Sequence, residues 1–154
     1  MLSSVDITRL MNRDEKTKRI FRGCYPRDML PKIHNSDYES QIFVVNTDSS
    51  EGLGEHWLLI CCGKNHQHEY FDSFGLNVRT RDVEKFLLYK TKHKSWIFNP
   101  YCLQNPFSVS CGHHVLYFSY FKARGYSFNW ILNTYSSDLE ENDFMVTDFV
   151  RTHF

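Results

Sequence analysis

Apolar positions along the chain follow two periods. Residues 41–47, 56–62 and 69–72 are dense in β-branched and aromatic side chains and are separated by polar or glycine-containing stretches such as Asn46-Thr-Asp-Ser-Ser50, a pattern that predicts three successive strands. The remainder is mostly helical in period. Ser3 or Ser4 caps a predicted N-terminal helix carrying Val5, Leu10 and Met11. Thr80 opens a helix on which Val83, Phe86, Leu87 and Lys90 recur at i, i+3 and i+4, and residues 95–98 return to a strand pattern. Residues 111–124 contain no proline, are apolar almost all round, and precede Gly125 at a natural C-terminal cap, which predicts a largely buried helix with Cys111 at its start. Ser137 and Glu140 form a capping-box pattern ahead of a last helix with Leu139, Phe144, Met145 and Phe149. Pro26 and Pro31 mark residues 23–31 as loop.

These elements add up to an α+β fold, with a mixed, mostly antiparallel sheet flanked by helices, one helix in the core, and a single domain over residues 1–154. Hydrophobic residues make up 42% of the chain and charged residues 23%, which excludes an intrinsically disordered protein. The longest unbroken apolar run, residues 57–62, is far short of a membrane span, and residues 1–20 carry charges where a secretory signal would be apolar, so an intracellular setting is expected.

Eighteen basic and eighteen acidic residues cancel, but their distribution is uneven. Residues 9–22 and 79–94 each hold six basic against two acidic residues, and residues 138–151 are acidic. The ordinary reading is solvated helix faces, and the alternative for Arg79, Arg81, Lys85, Lys90, Lys92 and Lys94 is a DNA-contacting surface. Five cysteines without paired spacings point to reduced thiols rather than a disulfide framework. Cys61, Cys62, His66 and His68 lie close together, but adjacent cysteines do not match zinc-ligand spacing, so no metal site is expected. Within a strand, Cys61 and Cys62 read as small core hydrophobes.

A thiol becomes a nucleophile when an imidazole takes its proton and a helix N-terminus favours the thiolate. Cys111 occupies such a terminus. His56, at the start of a strand beside Trp57, supplies a rigidly held imidazole, and Asp72, ending the next strand, can orient its other nitrogen. The Cys111 backbone N–H and the Gln104 side-chain amide can donate to a developing oxyanion. Singly, each of these residues also has an ordinary structural reading.

Their order adds weight. Gly54-Glu-His-Trp57, Tyr70-Phe-Asp-Ser-Phe-Gly75, Gln104 and Ser110-Cys-Gly112 resemble the motifs of adenovirus-type cysteine proteases (the adenain family) and of the related ubiquitin-like-protein proteases, as do Phe21-Arg-Gly-Cys-Tyr-Pro26 and Val44-Val-Asn-Thr47 upstream. The resemblance covers approximately residues 20–125. It implies an adenain-like fold with the nucleophile at the N-terminus of a central helix, His56 as general base, Asp72 as its orienter, Cys111 as nucleophile and Gln104 as oxyanion donor. It also implies a cysteine endopeptidase that matures structural precursor proteins of a DNA virus or virus-like mobile element, acting in the virion or the host nucleus. The alternatives are an isopeptidase for ubiquitin-like proteins and a catalytically idle DNA-binding or structural protein of the same fold. No cofactor is expected for the chemistry, while adenain's activation by a peptide and by DNA leaves both open here. Asp72 stands where adenain usually has glutamate. His113 and His114 stand where relatives have apolar or small residues, and their spacing from Cys111 makes them structural or substrate-lining. Neither Cys24 nor Cys102 is assigned a role.

Overall fold

The computed structural model describes residues 1–30, 40–63, 68–91 and 95–154. Five strands form one mixed sheet in chain order: β1 (Phe21–Pro26), β2 (Gln41–Asn46), β3 (Trp57–Cys62), β4 (His68–Phe71) and β5 (Trp96–Phe98). The three central strands pair antiparallel, and the two outer strands each lie parallel to their neighbour. Every residue of β2, β3 and β4 is buried, because helices cover both faces, which explains why β3 and the middle of β2 read as continuous apolar runs rather than as an alternation.

Successive residues point to opposite faces, and the core divides accordingly. Ile42, Val44, Leu59, Cys61 and Phe71 face one side with α1 (Ser4–Met11), α4 (Cys111–Lys122) and α6 (Leu139–His153). Phe43, Val45, Leu58, Ile60, Cys62 and Tyr70 face the other with α3 (Arg81–Thr91). Helix α4 lies between the sheet and α1 and α6, so it is buried almost all round. Phe118 stacks on Phe71 of β4 at 4.3 Å between centroids, and truncating it would cost about 3–5 kcal/mol. The shorter α2 (Glu15–Ile20), α5 (Phe128–Leu132) and a 3-10 turn (Arg27–Met29) complete the helices among the described residues.

Several expectations are corrected. The stretch 23–31 is not all loop: β1 is an edge strand, where Pro26 leaves no ladder donor missing and a register shift between Phe21 and Cys24 accommodates Gly23. Ile7 and Met11, not Val5, anchor α1, since Val5 is 73% exposed. Asp138, rather than Ser137, caps α6, because its carboxylate reaches two backbone N–H groups, those of Glu140 and Glu141, at 2.9 and 3.1 Å. The buried face of α6 is Asn142, Val146 and Val150, and Phe144 is 75% exposed.

The expectation that Lys90 belongs to an exposed basic surface fails. Lys90 is 0% exposed, with its ammonium 4.7 Å from the Phe43 ring and 3.4 Å from Gln41 Oε1. The period that places Val83, Phe86 and Leu87 against the sheet carries Lys90 to the same face. Arg79, Arg81 and Lys85 are exposed, and Lys92 and Lys94 lie outside the described residues.

Candidate active site

The antiparallel register that pairs Leu59 with Phe71 brings the start of β3 beside the end of β4. His56 sits just before β3 and Asp72 just after β4, so the two side chains meet at one end of the sheet. His56 Nε2 lies 2.7 Å from Asp72 Oδ1, and the imidazole stacks on Phe74 at 4.6 Å. The stacking and the carboxylate fix the ring in plane and direction. With Nε2–H donated to Asp72, Nδ1 is left free of that proton, and the Cys111 thiol is among the groups that act on the same imidazole. Burial alone would lower the His56 pKa, but the bonds to Asp72 and Cys111 and their charges outweigh it and raise it to about 9. An imidazole so placed is held as imidazolium, the partner a thiolate needs.

Cys111 is the first residue of α4 and is buried. The next residue packs against the N-terminal segment: a β-carbon on Gly112 would stand 3.1 Å from Leu2 Cβ and 3.4 Å from Ile7 Cδ1. Trp57 ties the same segment down, its indole N–H donating to the Leu2 carbonyl at 2.9 Å. The His-Trp and Cys-Gly pairs therefore each combine one chemical residue with one that packs against residues 2–7.

Asp72 is itself held from several directions. Its backbone N–H donates to Asn99 Oδ1 at 3.0 Å, and Asn99 Nδ2 donates to its carbonyl at 2.6 Å. The Phe74 N–H donates to the carboxylate oxygen that faces His56, at 2.9 Å. The turn then closes through Gly75 at φ 70°, where a β-carbon would come within 2.3 Å of the Tyr101 carbonyl carbon. Asn99 is absent from the sequence-based candidates. An Asn-Pro after a strand gives an ordinary turn signal, and nothing in the sequence pairs it with Asp72.

Gln104 is buried on the neighbouring segment, where its backbone N–H and that of Leu103 both donate to the Ser73 carbonyl. Its Oε1 accepts from Ser73 Oγ at 2.6 Å, and its Nε2 donates to Ser108 O and Oγ at 3.2 and 3.1 Å. The amide is thus oriented at both ends, with its donors directed to Ser108.

Other chemistry-bearing residues lie elsewhere. His114 is fully buried, with its ring nitrogens on Asp143 and Tyr135, and burial lowers the pKa of His113. Cys61 and Cys62 lie in β3, where burial raises both thiols, that of Cys62 to about 12. Cys24 is raised to about 11 by burial, and the exposed Cys102 donates to the Gln104 carbonyl. Among the described residues no cluster fit to hold a metal ion occurs, and His66 of the sequence cluster lies outside them. No helix among the described residues is long and apolar enough to cross a membrane.

No protein-family model and no curated protein matches the sequence. Eight chains of solved structures do match. One is the ASFV pS273R protease, with a TM-score of 0.58 at 18% identity, the match covering 95% of this chain and 66% of that one. The chain shares the α+β fold of that protease and spans just under two thirds of its length.

Proposed function

We propose that this chain is a cysteine protease, and more finely an endopeptidase for structural precursor proteins of a virus or virus-like mobile element. One observation carries the activity: His56 is bonded through Nε2 to the buried carboxylate of Asp72, and Cys111, whose thiol acts on the same imidazole, is the first residue of a helix. The fold shared with the ASFV protease and the adenain-like motifs support the substrate class.

The thiolate of Cys111 attacks the scissile carbonyl, forming a C–S bond and an oxyanion. His56 gives its proton to the departing amine as the C–N bond breaks, leaving a thioester. The now neutral imidazole takes a proton from water, whose oxygen attacks the thioester and releases the acid, and the thiolate-imidazolium pair returns. The oxyanion lies near the Cys111 backbone N–H, outside the helix ladder, and Gln104 donates as one of its bonds to Ser108 is exchanged. This chemistry uses no metal. Duplex DNA and a short peptide are retained as candidate activators, without any part for Lys90.

Alkylation by iodoacetamide followed by peptide mapping tests the thiol, and hydrolysis of precursor-derived peptides, with and without duplex DNA, tests the reaction. Selective modification of Cys111 and loss of hydrolysis in Cys111→Ala are expected. A Cys111→Ala protein as active as the wild type would overturn the assignment. Preference for a ubiquitin-like fluorogenic substrate over the precursor peptides would redirect it to an isopeptidase.

A further inference from the structure

We propose that Asp143, on helix α6, is a positioning residue that sets the direction of a hydrogen-bond relay ending on the Gln104 amide. The inference rests on the cysteine-protease reading above and assigns its oxyanion side a support from the last helix.

Asp143 gathers donors from several parts of the chain. Its Oδ1 accepts from Ser110 Oγ at 2.6 Å and lies 2.8 Å from His114 Nε2, and its Oδ2 accepts from the Asn105 N–H at 3.2 Å. Ser110 is the residue before Cys111 and the N-cap of α4, yet its side chain caps no helix N–H. Its proton is committed to Asp143. Ser108 Oγ lies 3.0 Å from Ser110 Oγ, and because the Ser110 proton is already used, Ser108 must donate there. Ser108 Oγ is therefore the acceptor for Gln104 Nε2, while Gln104 Oε1 takes the proton of Ser73 Oγ.

Every bond in the sequence Gln104, Ser108, Ser110, Asp143 points its proton toward the carboxylate. That direction, together with the Ser108 carbonyl, places the nitrogen of the Gln104 amide at Ser108. An amide turned the other way would present oxygen where a donor is needed, and would set Oε1 against the Ser108 carbonyl. Burial acts to raise the Asp143 pKa, but the bonds from His114 and Ser110 outweigh it and hold the group below the usual carboxylate value. His114, with no exposed side-chain surface, has Nε2–H for Asp143 and leaves Nδ1 to accept from the Tyr135 hydroxyl at 3.4 Å. Asp143 thus links α6 to the segment carrying the candidate oxyanion donor.

Oxyanion support and thiol activation are separable by experiment. Alkylation by iodoacetamide requires the Cys111–His56 pair but develops no oxyanion, whereas peptide hydrolysis and hemithioacetal formation with a peptide aldehyde both place charge on the carbonyl oxygen. Asp143→Asn, whose amide can donate toward Ser110, and Ser110→Ala, which breaks the relay while keeping the Asp143–His114 bond, are compared with wild type. The expected result is a fall in kcat of about 10- to 10²-fold with little change in KM, a matching loss of aldehyde affinity, and an unaltered rate and pH profile of alkylation. Ser110→Ala carries the test if Asp143→Asn does not fold. Wild-type kcat in the folded variants would overturn the inference, as would a parallel fall in alkylation, which would make Asp143 a general support of the fold. A wild-type protein without Cys111-dependent hydrolysis would sink the protease reading itself, and this inference with it.

Discussion

Replacing Asp72 by asparagine separates charge from geometry at His56. The carboxylate oxygen that faces the imidazole also accepts the Phe74 N–H at 2.9 Å. In Asp72→Asn that backbone donor still demands an acceptor, so the amide oxygen keeps its place and continues to take Nε2–H from His56. The imidazole tautomer survives, and the loss is that of the negative charge. Held at about 9 rather than the ordinary 6.5, the imidazolium is favoured by roughly 3 kcal/mol, a gain shared by Asp72 and Cys111 against burial. Removing one of the two charges should therefore cost little near neutral pH, where the ring stays at least half protonated, and lower kcat/KM by about 5- to 50-fold at pH 9. Because activity requires protonated His56, the alkaline limb of the pH profile should stand near pH 9 in the wild type and move toward neutrality by about one to two pH units in the variant. Stopped-flow hydrolysis of a fluorogenic peptide from pH 5 to 10, paralleled by iodoacetamide alkylation, measures both effects. An unmoved alkaline limb would refute the argument, as would a loss as large as that of Cys111→Ala, since either would mean that the carboxylate acts through something other than its charge on the ring.

Gln104→Ala should lower kcat by about 10²-fold with little change in KM, measured by steady-state hydrolysis, because its contact is made chiefly with the developing oxyanion. Lys90→Glu should lower the unfolding free energy by about 3 kcal/mol or more, since it sets a carboxylate against the Phe43 and Phe86 rings and beside Gln41 Oε1; urea denaturation checks this, and wild-type stability would contradict the burial. Asp14 caps α2 and bonds to Arg124 at 2.7 and 3.1 Å; the Arg124 bond, opposed by burial, is the main cause that holds its pKa at about 2. A depressed carboxylate stabilises above its unfolded pKa of 3.8, so this contribution, about 2 kcal/mol, is lost as the pH falls from 3.8 toward 2. Acid unfolding followed by circular dichroism should show that dependence weakened in Arg124→Ala.

The dense apolar runs of β2 and β3 and the all-round apolar surface of α4 were legible in the sequence because burial on every side leaves no polar period to confuse the reading. The candidate residues His56, Asp72, Gln104 and Cys111 were singled out by residue type and chain order, and the structure sets them at or near element ends. Short-range signals fell short where packing decides. β1 contains Gly23 and Pro26, which locally spell loop, and becomes a strand because β2 offers it a parallel ladder. Helix α5, five residues long behind Ser127, was not anticipated, since one and a half turns carry too little periodicity to register.

The amino-acid sequence by itself determined the residue types, their chain order and the periods that build a sheet wrapped by helices, because those depend on local geometry and on the partition of apolar side chains. Only the tertiary structure decided which side chains meet. It placed Asn99 on Asp72, 27 residues away, and Asp143 on Ser110, 33 residues away. It also turned Lys90 from an apparent surface charge into a buried neighbour of Phe43. Contacts at such separations follow from how the sheet and helices stack, and neither a two-residue nor a 3.6-residue period contains that information.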